Sequence, residues 1–155
     1  ELFMIQKGVY STTPSFHYLE YLSKKHPNIV FTLQTACFCY GLLEENRLPY
    51  YIATKQKDRK IKDENVKQIF MTDELYPIGL NHVKYLGFGI QIYDLERLLI
   101  EVVRNKKNMD FNLYSKIILG YKKIVRLLNK NKIGRYVQFF KDPMIMYRIE
   151  NEVYR

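Results

Sequence analysis

Three acids, Asp94, Glu96 and Glu101, form the best carboxylate cluster of the chain, with Arg97 among them. Carboxylates this near to one another could share a metal ion, pass a proton, or pair with the arginine. Spacing decides among these. On a helix, Arg97 and Glu101 stand one turn apart on a single side while Glu96 falls on another, so Arg97 meets Glu101 and Glu96 points elsewhere. That geometry predicts a structural ion pair rather than a metal-binding pair. The other groups able to attack or to move protons are scattered. His17, His26 and His82 show no paired-ligand spacing. Cys37 and Cys39 point to different faces of the helix expected there, which argues against both a disulfide and a metal site. An Asp followed downstream by Glu-x-Lys, which would hold Mg²⁺ in a nuclease, does not occur. Gly87-Phe88-Gly89 is a single G-x-G before a strand, without the third Gly or the helix opening of a phosphate cradle. No catalytic, cofactor or metal constellation assembles, and the expectation is a protein that is not an enzyme.

The elements that position the charged cluster read clearly. Ile90 and Ile92 alternate around Gln91 as a half-buried strand does, and Leu95, Leu98, Leu99, Val102 and Val103 recur on one helical face. A strand therefore runs straight into a helix across Gly87 to Arg104. Asp94 sits at the junction, placed to accept free N–H groups of the first turn, and Glu96 adds negative charge near the positive end of the helix dipole. Val83 to Leu86 should pair with Gly89 to Tyr93 through a tight turn at Gly87, placing the unit at the end of a small sheet. Upstream, a helix is expected from about Ser15 to Lys25, then a strand at Ile29 to Phe31. Next comes a buried helix capped by Thr32, with Leu33, Ala36, Cys37 and Tyr40 on one face and Gly41 as its left-handed stop. Strands follow at Tyr50 to Thr54 and Val66 to Met71, separated by the charged run KQKDRKIK (Lys55 to Lys62), an exposed loop or hairpin tip. The C-terminal third is helical. Asp110 should cap a helix with Phe111, Tyr114, Ile117, Ile118, Tyr121, Ile124, Val125 and Leu128 on a shared side and a kink or break at Gly120. Two shorter helices should carry Ile133, Tyr136, Val137 and Phe140, and then Ile145, Ile149 and Val153. The predicted class is α+β: a small, mainly antiparallel sheet with flanking helices and a helical C-terminal third.

With 155 residues, 47% of them hydrophobic and 15% aromatic, the chain is long and apolar enough for one folded domain. No apolar run approaches the roughly 18 residues that span a bilayer, so a soluble cytoplasmic domain without a membrane partner is expected. The formal net charge of +9 is unevenly placed. From Arg104 to Lys141 eleven Lys and Arg face one acid, Asp110, a net +10, and the other residues together carry −1. Such localisation suggests a polyanion, because Lys and Arg that neutralise phosphates release counterions. The candidate phosphate contacts are Lys55, Lys57, Arg59, Lys60 and Lys62 in the loop and Lys122, Lys123, Arg126, Lys130, Lys132 and Arg135 in the helices. They would bind DNA weakly and without sequence preference. An acidic protein partner would suit the helical face as well.

The Asp94-x-Glu96-Arg97 motif, followed by Glu101, also resembles the signature of the AbiEi family, antitoxins and repressors of bacterial toxin–antitoxin pairs. Gly8-Val9-Tyr10 resembles the Gly-x-Tyr end of that family's winged-helix wing. Thr32 to Ala36 with Gly41-Leu42 is similar to its Ser-x-x-x-Ala-x-x-x-x-Gly-Leu helix, and Tyr51-Ile52-Ala53-Thr54 to its following strand. The order and spacing match over most of residues 7 to 104. Leu98 stands where Thr is usual, Glu101 for Asp, Thr32 for Ser and Tyr40 for His. The resemblance implies that residues 1–12 are the remnant of a winged-helix wing and residues 13–155 an antitoxin domain, with the DNA-reading helix preceding Glu1. It further implies a functional link to a nucleotidyltransferase toxin and autorepression of the operon. The alternatives are a nucleic-acid-binding accessory domain unrelated to toxins, or a small nuclease.

Overall fold

In the computed structural model, the residues described are 3–6, 9–11 and 18–155, with side chains described from Tyr18 onward. The chain opens with a strand pair, β1 (Phe3–Gln6) and β2 (Val9–Ser11), antiparallel to one another. Gly8, His17 and the expected helix start at Ser15 lie outside the described residues.

The body is an α+β domain of six helices and a five-stranded sheet. Its elements are α1 (Tyr18–Lys25), β3 (Val30–Phe31), α2 (Leu33–Cys39), β4 (Tyr50–Lys55), β5 (Val66–Met71), β6 (Leu80–Tyr85), β7 (Phe88–Tyr93), α3 (Leu95–Arg104), α4 (Phe111–Lys123), α5 (Lys130–Val137) and α6 (Met144–Glu152). The strand order is β5-β4-β3-β7-β6. The β3–β4 and β6–β7 pairs are antiparallel, and β3–β7 and β4–β5 are parallel. The sheet is thus mixed rather than mainly antiparallel, and β7 lies inside it, between β3 and β6.

The parallel β4–β5 pair excludes the hairpin-tip alternative for Lys55 to Lys62 and leaves the loop. Tyr50 stands beside Val66 and Lys55 beside Met71, so the chain must return the full length of β4 before β5 begins. It does so in an extended segment. A six-residue strand covers only about 17 Å, which ten extended residues span without a helix. The Gln68 amide pins the return: its oxygen accepts the Ile61 N–H (2.7 Å), and its nitrogen donates to Thr54 Oγ1 (2.8 Å) and the Arg59 carbonyl (3.1 Å).

Between β6 and β7 the turn is the tight one expected. Leu86 (φ 48°) and Gly87 (φ 90°) both take left-handed backbone, the two-residue geometry whose twist matches antiparallel strands. Leu86 adopts it although it is not Gly or Asn, with its side chain 64% exposed.

One face of the sheet contributes Phe31, Ile52, Ile90 and Ile92 to the main core, with Leu19, Leu22, Ala36, Leu98, Leu99, Val102 and Ile117 from the helices. The other face buries Val30, Ala53, Met71, Tyr76 and Tyr93, and the 72–79 loop supplies Tyr76. Thr32 occupies the N-cap of α2 with extended backbone, but its hydroxyl makes no capping bond; Gly41 (φ 79°) ends the helix as expected. Asp110 does cap α4, accepting the Leu113 N–H at 3.1 Å.

Two expectations for α4 fail. The helix passes Gly120 without a break, because this glycine serves a close approach: a Cβ there would stand 3.2 Å from both the Leu42 carbonyl oxygen and its Cδ2. Phe111 is off the shared apolar side, at 75% exposure, and Val125 to Leu127 form a separate 3₁₀ turn rather than a continuation of α4. No helix among the described residues is long and apolar enough to cross a membrane.

Candidate functional site

The β7–α3 junction holds the charged cluster, and every member is buried. Asp94 has extended backbone and caps α3, its Oδ1 accepting the Arg97 N–H at 2.8 Å. Opposite it, Gly79 (φ 75°) comes so close that a Cβ would lie 2.4 Å from Arg97 Cβ and 3.0 Å from Asp94 Oδ1. Only glycine fits there, and its carbonyl accepts the Asp94 N–H at 2.8 Å.

Arg97, completely buried, spends its guanidinium inside the protein. Nε donates to Glu101 Oε2 (3.0 Å), and Nη1 to the Leu75 (2.5 Å) and Ile78 (2.6 Å) carbonyls. Nη2 approaches Met71 Sδ at 3.6 Å, and the group lies over the Tyr93 ring (4.1 Å) and the Phe140 ring (5.0 Å). Arg97 thereby ties α3 to the 72–79 loop, which has no regular hydrogen-bond ladder of its own.

Glu101 accepts from Arg97 and also from Arg104 Nη1 at 3.0 Å. Glu96 turns away, as its position on the helix requires. Its Oε2 accepts the Asn129 N–H (3.0 Å) and its Oε1 faces Lys132 Nζ (3.3 Å). Lys132 also pairs with Asp94 Oδ2 (3.0 Å), which accepts the Tyr136 hydroxyl at 2.7 Å. Burial pulls the Lys132 pKa down, but the bond to Asp94 and the charges of Asp94 and Glu96 outweigh it and hold the ammonium above its ordinary value. The Tyr136 hydroxyl is pushed up to about 12, first by burial and then by its bond to Asp94.

Three carboxylates, Asp94, Glu96 and Glu101, therefore meet three cations, Arg97, Arg104 and Lys132. The cluster is electrically closed, and its charges bolt α5 and the 72–79 loop onto α3. No group in it is left to hold a metal, and among the described residues no cluster of three or more His, Cys, Asp or Glu could do so.

Three of the eleven basic candidates are engaged by the protein itself. Lys132 is an internal counterion, not a phosphate contact, because its acids lie on α3, far away in sequence. Lys130 pairs with Glu150 at 2.7 Å and lies over the Tyr154 ring. Lys55 is half-buried, its ammonium 5.3 Å from the Tyr76 ring centre. The remaining candidates, Lys57, Arg59, Lys60, Lys62, Lys122, Lys123, Arg126 and Arg135, are exposed and pair with no acid among the described residues. They form two groups, one along the β4–β5 return and one from the end of α4 to α5.

His26 and His82 prove closer than their contexts suggest. Both line a cleft of about 300 Å³ between the end of α1 and the β6–β7 hairpin, with Ser23 and Lys84. Burial, then the Lys25 charge, lowers the His26 pKa. The Gln91 amide closes one side by donating to the Pro27 (2.7 Å) and Ile29 (3.1 Å) carbonyls. Cys37 and Cys39 are free thiols.

Sequence reasoning missed Gly79, Lys132 and Tyr136 as parts of the junction. Gly79 follows a Tyr-Pro-Ile stretch and reads only as a turn; the two α5 residues carry no local mark of a partner on α3. Comparison with known protein-family models gives no match, and comparison with curated proteins gives no significant match either.

Proposed function

We propose that this chain is a non-catalytic regulatory domain of the AbiEi antitoxin kind, which counteracts a nucleotidyltransferase toxin and supports repression of its own operon by weak, non-specific contact with DNA phosphates. The division of charge carries this reading. The acids of the motif are consumed in a buried structural clamp, whereas eight exposed cations have no acidic partner among the described residues. A clamp of this kind gives the motif a folding role and leaves the surface as the working part. In the same reading the β1–β2 pair is a wing remnant, sequence specificity belongs to a winged-helix segment, and the domain works in the cytoplasm.

The basic surface alone would serve equally a nucleic-acid-binding accessory domain with no toxin. Two experiments separate the readings. A nucleotidyltransferase gene beside this one, whose toxicity in cells is relieved by co-expressing this protein, supports the first; no such neighbour, or no relief, leaves the second. DNA contact is tested by fluorescence anisotropy of a labelled duplex. With four to six phosphates neutralised, log K should fall with log salt at a slope of about −4 to −5. No binding at about 50 mM salt removes DNA from the partners of this domain.

A further inference from the structure

Helix α4 is apolar on two sides. Its inner side buries Tyr114, Ile117, Ile118 and Tyr121. Its outer side exposes Phe111 (75%) and Leu119 (55%), which with Ile118 and Ser115 line a groove of about 340 Å³ whose far wall is Lys106 and Glu152. That wall is fixed: Glu152 accepts the Tyr114 hydroxyl at 2.7 Å and pairs with Lys106 at 3.2 Å. An amphipathic helix needs one apolar stripe for its own core, and a second one that stays open marks an interaction site.

The stripe has a definite shape and charge. From Phe111 to Lys122 it runs about 16 Å, three helical turns. Lys122 stands at its C-terminal end, and Lys123 and Lys116 lie about 40° and 60° round the helix beyond Leu119. Lys106 lines the opposite side from the 3₁₀ turn Lys106–Asn108. Four lysines thus frame an apolar floor, and the one carboxylate that lines it, Glu152, is already paired with Lys106.

We propose that this groove docks an amphipathic, acidic α-helix of about three turns from a protein partner, its apolar face on Phe111, Ile118 and Leu119 and its carboxylates on the flanking lysines. A second copy of this chain does not suit, since it would set lysine against lysine. Duplex DNA uses the lysines but has no use for Phe111 and Leu119, and a lipid surface is flat where the site is concave. The proposal stands independently of the antitoxin reading and of DNA contact through Lys57 to Lys62.

The test uses a fluorescein-labelled acidic amphipathic peptide, with Leu or Phe at i, i+4 and i+7 and Glu on both flanks, titrated with the protein. A scrambled peptide of the same composition, a DNA duplex and phosphatidylglycerol vesicles are run alongside. The ordered peptide should bind at least about tenfold more tightly than the scrambled one, and Phe111→Ala and Leu119→Ser should each weaken it about tenfold. Both side chains are exposed, so circular dichroism should stay unchanged. Leu127→Ser, also exposed (72%) but outside the groove, should have no effect. A Lys57→Glu/Arg59→Glu/Lys60→Glu variant should weaken DNA binding and leave the peptide affinity unchanged, which separates the β4–β5 return from the groove. Equal binding of ordered and scrambled peptides, indifference to Phe111→Ala and Leu119→Ser, or vesicle binding that depends on these residues while the peptide fails would each overturn the proposal.

Discussion

Replacing Arg97 by Ala tests the structural role of the charged cluster. The substitution removes the partner of a carboxylate that is 2% exposed and leaves the Leu75 and Ile78 carbonyls without their donor. Breaking one side of a buried pair costs about 3–5 kcal/mol, and each buried acceptor left unmade adds about 1–3 kcal/mol. Two effects offset this. Arg104 stays on Glu101 and is 32% exposed, so the carboxylate keeps a cation, and water can enter the space vacated. The expected loss is therefore about 3–5 kcal/mol, a large part of the roughly 5–15 kcal/mol that holds a domain folded, and about 6–20 °C in Tm for this length. Urea unfolding followed by circular dichroism measures it. A double-mutant cycle sharpens the result: Arg97→Ala with Glu101→Ala should lose less than the two single changes together, by about 0.5–3 kcal/mol, since the second change removes the charge the first leaves uncompensated. An unfolding midpoint unchanged by Arg97→Ala, or strict additivity in the cycle, refutes the clamp; full stability with lost antitoxicity in cells would make the motif functional instead.

Gly79→Ala should cost about 2–5 kcal/mol, combining left-handed strain with the 2.4 Å clash on Arg97 Cβ, and should abolish the cooperative thermal transition if the loop cannot shift. Leu86→Asn should stabilise by about 0.5–1 kcal/mol, because Asn accepts the left-handed turn that Leu86 occupies and no buried contact is lost; a fall in Tm would count against the turn. Burial raises the Cys37 thiol and pushes Cys39 up to about 12, so at pH 8.5 neither should be appreciably ionised. A disulfide reagent should therefore label both only slowly in the native protein and at once in urea, with the native rate still climbing above pH 9; rapid native labelling at pH 8 would contradict the burial.

What the sequence made legible was whatever is written within one element. The β7–α3 unit shows in the change from alternation to helical spacing, and Asp94 marks its own cap. The two-residue turn shows in Gly87. Hidden were the relations between distant segments. Nothing in the two residues of β3 says that they run parallel to β7, some sixty positions later. The KQKDRKIK run is polar enough to be placed at the surface, yet polarity does not record whether the next strand returns parallel or antiparallel. Gly120 looks like a weak point of a helix when only its neighbours are counted; its reason is the backbone at Leu42.

Charge counting shows the same limit and bears on function. The +10 between Arg104 and Lys141 depends on where the segment is cut, because acids lie just outside both ends. Folding brings them back: Glu101 to Arg104, Asp94 and Glu96 to Lys132, Glu150 to Lys130 and Glu152 to Lys106. Four of the eleven cations are thereby neutralised. Seven form no ion pair among the described residues, Lys107, Lys116, Lys122, Lys123, Arg126, Arg135 and Lys141, and three of these, Lys116, Lys122 and Lys123, frame the apolar groove of α4. A surface whose positive charge is split between a strand-edge segment and the rim of an apolar groove is poorly arranged to follow one phosphate backbone with all its cations together. The salt dependence of DNA binding should accordingly report only a subset of them, and the hydrophobic contacts at Phe111 and Leu119 should persist at salt concentrations that release DNA.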